Sequence, residues 1–169
     1  PKGSMRLIGE DEAASLYQAM APARELSGGS AANTVAGLAS FGLSAGFIGQ
    51  IAGDQLGEIS THAIRSLGAE FDTPARDDVG ATARCLILVT PDAQRTMNTF
   101  LGAAQMLGPD AVDPARVADA KIVYLEGYLW DPEEPRWAMI RAIDIARNAG
   151  RKVAFTLSDS FCIARHRDG

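Results

Sequence analysis

Apolar residues along this chain alternate between two rhythms, helical spacing and short unbroken runs, and each change of rhythm marks an element. Met5 to Ile8 is an apolar run suited to a strand. From Glu10 to Met20 the apolar positions Ala13, Leu16, Tyr17 and Met20 take helical spacing before Pro22 stops it. After Ser27-Gly28-Gly29-Ser30, residues Ala31, Ala32, Val35, Leu38 and Ala39 share one helical face, closed by Gly42 where a left-handed C-terminal residue is wanted. Ala45 to Ile51 is short and apolar enough for a buried strand. Gly53-Asp54 then forms a turn with a helix N-cap, and Leu56, Ile59, Ile64 and Leu67 mark a helix that ends at Gly68.

The next two runs break this order. Thr82 to Thr90 and Arg95 to Leu101 are rich in β-formers and joined by Pro91-Asp92-Ala93-Gln94, which predicts a hairpin and rules out a helical crossover between them. The strand–helix order then returns: a short helix over Asp113 to Ala118, a strand at Ile122 to Leu125, a helix from Glu133 to Asn148 and a strand at Lys152 to Leu157, the two strands parallel. The chain is therefore expected to fold as a layered α/β core interrupted by a hairpin that belongs to a separate small sheet. It contains no internal repeat or low-complexity tract.

Composition narrows the partners. With 47% hydrophobic and 22% charged residues, the 169-residue chain falls in the range of one ordinary globular domain. Its net charge of -5 comes from acidic and basic residues interspersed along the chain, with no basic tract to displace counterions from a nucleic acid, so no nucleic-acid partner is expected. No stretch approaches the roughly 18 apolar residues of a membrane span. No signal pattern opens the chain, so no membrane is expected either. Cys85 and Cys162 are far apart in apolar segments and His62 and His166 are isolated, which fits reduced thiols in a cytoplasm and gives no metal-ligand spacing. Pro1 to Ser4 and Arg167-Asp168-Gly169 read as cut edges.

Gly28-Gly29-Ser30-Ala31-Ala32-Asn33 is the segment richest in candidate chemistry. Two glycines ahead of a helix let the backbone approach a ligand with no Cβ in the way, and the free N–H groups of the first turn face whatever lies there. Asn33, within that turn, offers donor and acceptor together to a pair of hydroxyls. Two other readings stand beside this one. Ser27 or Ser30 caps the helix while Asn33 bonds locally, or the glycines form a dinucleotide loop, although the spacing is not G-x-G-x-x-G and no buried strand precedes it. Glu126 stands where an apolar strand gives way to a loop, the end of an open sheet at which ligands lie, and is read either as a hydroxyl acceptor or as a surface carboxylate. Asp54 is read as a cap and turn residue. Asn98 and Phe100 share a strand face and either touch a ligand or pack. Tyr128, Leu129 and Trp130 either line an apolar pocket or join the core.

The stretch GGSAANTVAGLASFG, followed by Ala45-Gly46-Phe47-Ile48-Gly49 and by Gly53-Asp54-Gln55-Leu56-Gly57, resembles the first signature of the ribokinase-like (PfkB) family of carbohydrate kinases. The similarity runs on through the hairpin and through Tyr124-Leu125-Glu126-Gly127, and so covers essentially the whole chain. It implies a layered αβα sheet with a small β lid built from residues 4–9 and 80–101, the whole of 1–169 being part of one ribokinase-like domain truncated at both ends. It also implies that Gly28, Gly29, Ser30, Asn33 and Glu126 bind the hydroxyls of a sugar or nucleoside. Ribokinases proper have Lys after the glycines; Ser30 stands there as in adenosine kinases. Asp159 either caps the last helix or, by the resemblance, lies toward magnesium or phosphate, while Thr156 replaces an Asn of some relatives.

The resemblance further implies ATP and magnesium as cofactors of an intact enzyme. It places the catalytic base and the anion hole in a late motif of the type D-T-x-G-A-G-D, expected beyond Gly169, so that residues 1–169 alone should not turn over. Two classes of function follow: a sugar or nucleoside kinase, or a non-catalytic ribokinase-like binding module. A Rossmann-type NAD enzyme is a distant third. A lid sheet with an open edge offers a route to a homodimer.

Overall fold

The computed structural model of the protein describes residues 2–167; Pro1, Asp168 and Gly169, read above as chain edges, lie outside the described residues. Strand β1 (Met5–Leu7) leads through Gly9 into helix α1 (Glu10–Ala19), whose first turn carries Glu10, Asp11 and Glu12 where negative charge favours the N-terminus. Helix α2 (Ser30–Ser40) and helix α3 (Gln55–Ser66) follow, each terminated by a glycine of positive φ, Gly42 and Gly68, as their sequences predict.

Strands β2 (Arg84–Val89) and β3 (Arg95–Phe100) form the expected hairpin, turned at Thr90 to Ala93 where the Ala93 N–H donates to the Thr90 carbonyl at 2.8 Å. Strand β1 pairs in parallel with β3, Met5 opposite Met97 and Leu7 opposite Thr99, giving a three-stranded sheet of order β1-β3-β2. The register divides this sheet into two unlike faces. One carries Leu86, Asn98 and Phe100, and with Ile8 it packs on Ala13 and Leu16 of α1. Asn98 is buried there, its amide donating to the Leu86 carbonyl at 3.2 Å and its oxygen accepting from Arg6 at 2.7 Å. Asn98 and Phe100 therefore serve packing, the plainer of their two sequence readings. The guanidinium of Arg84 lies 5.6 Å over the Phe100 ring, its Nε buried without a hydrogen-bond partner. The other face presents Leu7, Ile87 and Val89, all exposed, and with them Cys85.

After α4 (Pro114–Asp119), capped by Asp113, comes β4 (Ile122–Glu126), then α5 (Glu133–Asn148) and β5 (Lys152–Thr156). β4 and β5 pair in parallel, Glu126 opposite Thr156, with α5 as the crossover. The alternate residues Val123 and Val153 pack against Ala138, Ala142 and Ala146 of α5 and Val117 of α4. A short helix α6 (Ser160–Arg165) ends the described chain.

One element differs from its prediction. Ala45 to Ile51 does not form a strand but runs extended beside residues 69–76, touching them through isolated parallel bridges at Gly46–Glu70 and Ala52–Arg76. Between the bridges Pro74 has no N–H to give, which removes one bond of the ladder. The Gln50 side chain takes up the slack, donating to the carbonyls of Ile51 and Pro74 at 2.9 and 3.0 Å. The run is half-buried and not buried as expected: Phe47 and Ile51 pack on Ala32, Val35, Ile64 and Phe71, the Phe47 and Phe71 rings meeting edge-on at 5.2 Å, while Ile48 is exposed.

Candidate functional site

The diglycine turn is open. A Cβ built on Gly28 or on Gly29 meets nothing within 4 Å. Gly29 adopts φ 101 and ψ 141, a conformation that L side chains avoid, and from there α2 begins with no side chain capping its N-terminus. The first-turn N–H groups are thus not taken up by a serine cap, one of the plainer readings of this segment. The Asn33 N–H donates to the Gly29 carbonyl at 2.9 Å as ordinary helix, while its side chain is exposed and forms no hydrogen bond to any described residue.

Glu126, from the far end of the chain, comes to this turn. Its carboxylate accepts a short hydrogen bond from the Ser30 hydroxyl through Oε2 and one of 3.2 Å from the Tyr124 hydroxyl through Oε1. No basic side chain among the described residues forms an ion pair with it. Gly127 eases this approach: a Cβ there would stand 3.2 Å from the Leu157 carbonyl oxygen and 3.3 Å from that of Thr156, so a larger residue would press the strand ends apart by a few tenths of an ångström. Gly28, Gly29, Ser30, Asn33 and Glu126 therefore lie around one junction, between the N-terminus of α2 and the C-terminal end of β4.

The electrostatics of the junction are anionic. Burial pushes the Tyr124 phenol up from its ordinary value, the neighbouring Glu126 charge and hydrogen bond add to the rise, and the Thr34 hydroxyl opposes it. Tyr128 is raised likewise, by burial first and then by the charges of Asp159, Glu126 and Cys162. Both phenols thus stay protonated donors at neutral pH. An uncompensated carboxylate beside open backbone N–H groups and a free amide suits a neutral ligand rich in hydroxyls, which donates to the one and accepts from the others.

Tyr128 is half-exposed, its hydroxyl 3.5 Å from the Ser158 carbonyl, while Trp130 meets Phe155 edge-on at 5.5 Å. Asp159 precedes α6 and accepts from the Ser160 hydroxyl at 3.1 Å. Asp54 caps α3, accepting from the Gly57 N–H at 2.8 Å, which is the role its sequence position indicates. Among the described residues no three His, Cys, Asp or Glu side chains gather to hold a metal. Among them, too, no helix is long and apolar enough to cross a membrane. Tyr124 and Thr34 escaped the sequence reading, although alternation along β4 puts Tyr124 on the same face as Glu126 and signals it.

Comparison with known proteins agrees with the geometry. Residues 5–165 match the pfkB family of carbohydrate kinases. The chain is 32% identical over 133 residues to 5-dehydro-2-deoxygluconokinase from Shouchella clausii, covering 77% of this chain and 41% of that protein. Among solved structures, adenosine kinase from Sinorhizobium meliloti superposes with a TM-score of 0.92 at 52% identity, over 99% of this chain and 51% of that one. A probable sugar kinase from Rhizobium etli gives a TM-score of 0.92 at 48% identity, with the same coverage of 99% and 51%. The chain thus spans about half the length of these relatives or less.

Proposed function

The chain belongs to the pfkB family of carbohydrate kinases, and from that premise we propose that the intact protein transfers the γ-phosphate of ATP, with magnesium, to a hydroxyl of a sugar or nucleoside. The observation that carries this reading is the meeting of Ser30 with Glu126 across 96 residues of sequence. It sets an open diglycine turn, an amide with no partner among the described residues and a carboxylate without an ion pair side by side, with Gly28, Gly29, Ser30, Asn33 and Glu126 proposed as the substrate-binding set. Adenosine-like and ribose-like substrates fit the proposal equally in chemistry; Ser30 after the glycines and the likeness to the Sinorhizobium meliloti adenosine kinase favour a nucleoside.

The sheet formed by residues 4–9 and 80–101 is proposed as a lid that excludes water from the acceptor hydroxyl. Its open edges and apolar outer face support a homodimer formed through it. The base and anion hole are proposed to lie outside these 169 residues, which contain no D-T-x-G-A-G-D motif, and residues 1–169 alone are proposed to be inactive. If the intact protein also lacks that motif, a second reading is selected, a binding module without turnover. We propose a cytoplasmic location, consistent with the two free cysteines.

The test is incubation of the intact protein with ATP, magnesium and, in turn, adenosine, ribose and 5-dehydro-2-deoxygluconate, with phosphorylated product read by mass spectrometry. Product from one of these supports the kinase; saturable binding without product selects the module; neither binding nor product overturns both.

A further inference from the structure

Glu126 is held from two sides, and the two holders differ in kind. Ser30 belongs to the diglycine turn, whereas Tyr124 belongs to β4 itself, two residues back on the same strand face. Tyr124 is 43% exposed, so core packing does not account for it. Its phenol donates to Glu126, with the Thr34 hydroxyl of α2 beside it. A free glutamate samples many rotamers, and ordering one on ligand binding costs entropy. Here both carboxylate oxygens already have one donor each.

We propose that Tyr124 is a positioning residue for substrate recognition, fixing the Glu126 carboxylate, together with Ser30, so that its two remaining acceptor sites receive the adjacent hydroxyls of a vicinal diol. Each carboxylate oxygen accepts about two hydrogen bonds, and one on each is taken by a protein hydroxyl. What is left is a matched pair of acceptors on one planar group, which two neighbouring O–H donors fill and a single one fills only in part. No lysine or arginine competes for those positions among the described residues. The proposal rests on the reading of Glu126 as a substrate-binding group. It adds the residue that makes the group effective and the ligand feature that the group selects.

The test measures dissociation constants of the intact protein for adenosine, 2'-deoxyadenosine, 3'-deoxyadenosine and ribose, with KM and kcat where turnover occurs. Tyr124→Phe removes one hydroxyl from a partly exposed side chain. It is expected to weaken adenosine or ribose binding about fivefold, the size of one net hydrogen bond, and to raise KM with kcat unchanged. In a Glu126→Gln background the same change is expected to have no further effect, and either deoxyadenosine is expected to lose most of its sensitivity to Tyr124→Phe. A change that lowers thermal stability alone, an equal penalty in both backgrounds, an unaltered affinity, or a Tyr124→Phe protein that does not fold overturns the positioning role. Wild-type protein that binds none of the four overturns the reading of Glu126 beneath it, and is told apart from the other failures by needing no variant.

Discussion

Thr82 donates twice to Asp54, its hydroxyl to Oδ1 at 2.6 Å and its N–H to Oδ2 at 2.8 Å. The same hydroxyl accepts from the Ala52 N–H at 3.0 Å, and Asp54 also caps α3. Thus the start of a core helix and the segment from which β2 departs are fastened at one carboxylate. The fastening is close on the other strand too: the Ala103 N–H bonds the Ala81 carbonyl at 2.9 Å, and a Cβ on Gly102 would stand 2.2 Å from that same oxygen.

Asp54→Ala is expected to destabilise the protein by about 2 to 3 kcal/mol, combining the loss of an N-cap with a buried threonine hydroxyl left without its acceptor. Asp54→Asn, which keeps an acceptor oxygen, should cost distinctly less. Urea unfolding of the three proteins checks the order.

Acid should act through the same carboxyl. Burial alone would raise the Asp54 pKa, but the hydrogen bonds from the Thr82 hydroxyl, the Thr82 N–H and the Gly57 N–H outweigh it, and the group titrates below its ordinary value. Its stabilising contribution is therefore complete above the ordinary carboxylate range and is lost as pH falls through the lowered folded value. Thr82→Val should flatten the acid limb of a stability–pH curve and leave less difference between pH 7 and pH 3 than the wild type shows.

Stability and recognition separate at the diglycine turn. Gly28→Ala meets no atom within 4 Å and Asn33→Ala removes a side chain with no described partner, so each should leave the unfolding midpoint within about 0.5 kcal/mol of wild type. Gly29→Ala, at φ 101, should cost about 1 to 3 kcal/mol through backbone strain. If a polyol occupies the turn, both nonetheless weaken adenosine or ribose binding tenfold or more, by calorimetry on the intact protein: Gly28→Ala puts a Cβ where the ligand approaches the backbone, and Asn33→Ala takes a partner from a ligand hydroxyl.

The outer face of the small sheet gives a fourth expectation. Val89 is 66% exposed and Ile87 42%, on the side away from α1. A single Val89→Glu or Ile87→Glu change should shift the intact protein from dimer to monomer in analytical ultracentrifugation, with thermal stability of the monomer little altered. A wild-type protein that sediments as a monomer at all concentrations would remove the proposed assembly.

Most of the elements could be read from periodicity. Helices α2, α3 and α5 each bury a face whose residues recur every three or four positions, and their ends carry Gly42, Asp54 and Gly68, whose backbone or side-chain chemistry stops or starts a helix in almost any surroundings. Residues 45–51 misled because hydrophobicity reports a tendency to pack and not hydrogen bonding: Ala45, Phe47 and Ile51 pack half-buried, and the neighbouring segment carries Pro74, which cannot donate to a ladder. The glycines and Asn33 stood out through local composition. The contact of Ser30 with Glu126 did not, since nothing in either segment encodes a partner 96 residues away. Tyr124 lay between these cases, recoverable from strand alternation once Glu126 had been singled out.

That long-range contact makes the proposed pocket a sensor of tertiary order. The helices flanking it keep their own hydrogen bonds and their own clusters, α2 on Ile64 and Phe71 and α5 on Val117 and Val153, whereas the proposed pocket exists only while α2 and β4 are docked. Mild heat or denaturant should therefore abolish ligand capture while far-ultraviolet dichroism still reports intact helices, and a protein stored under such conditions would look folded by that measure and yet be blind to its substrate.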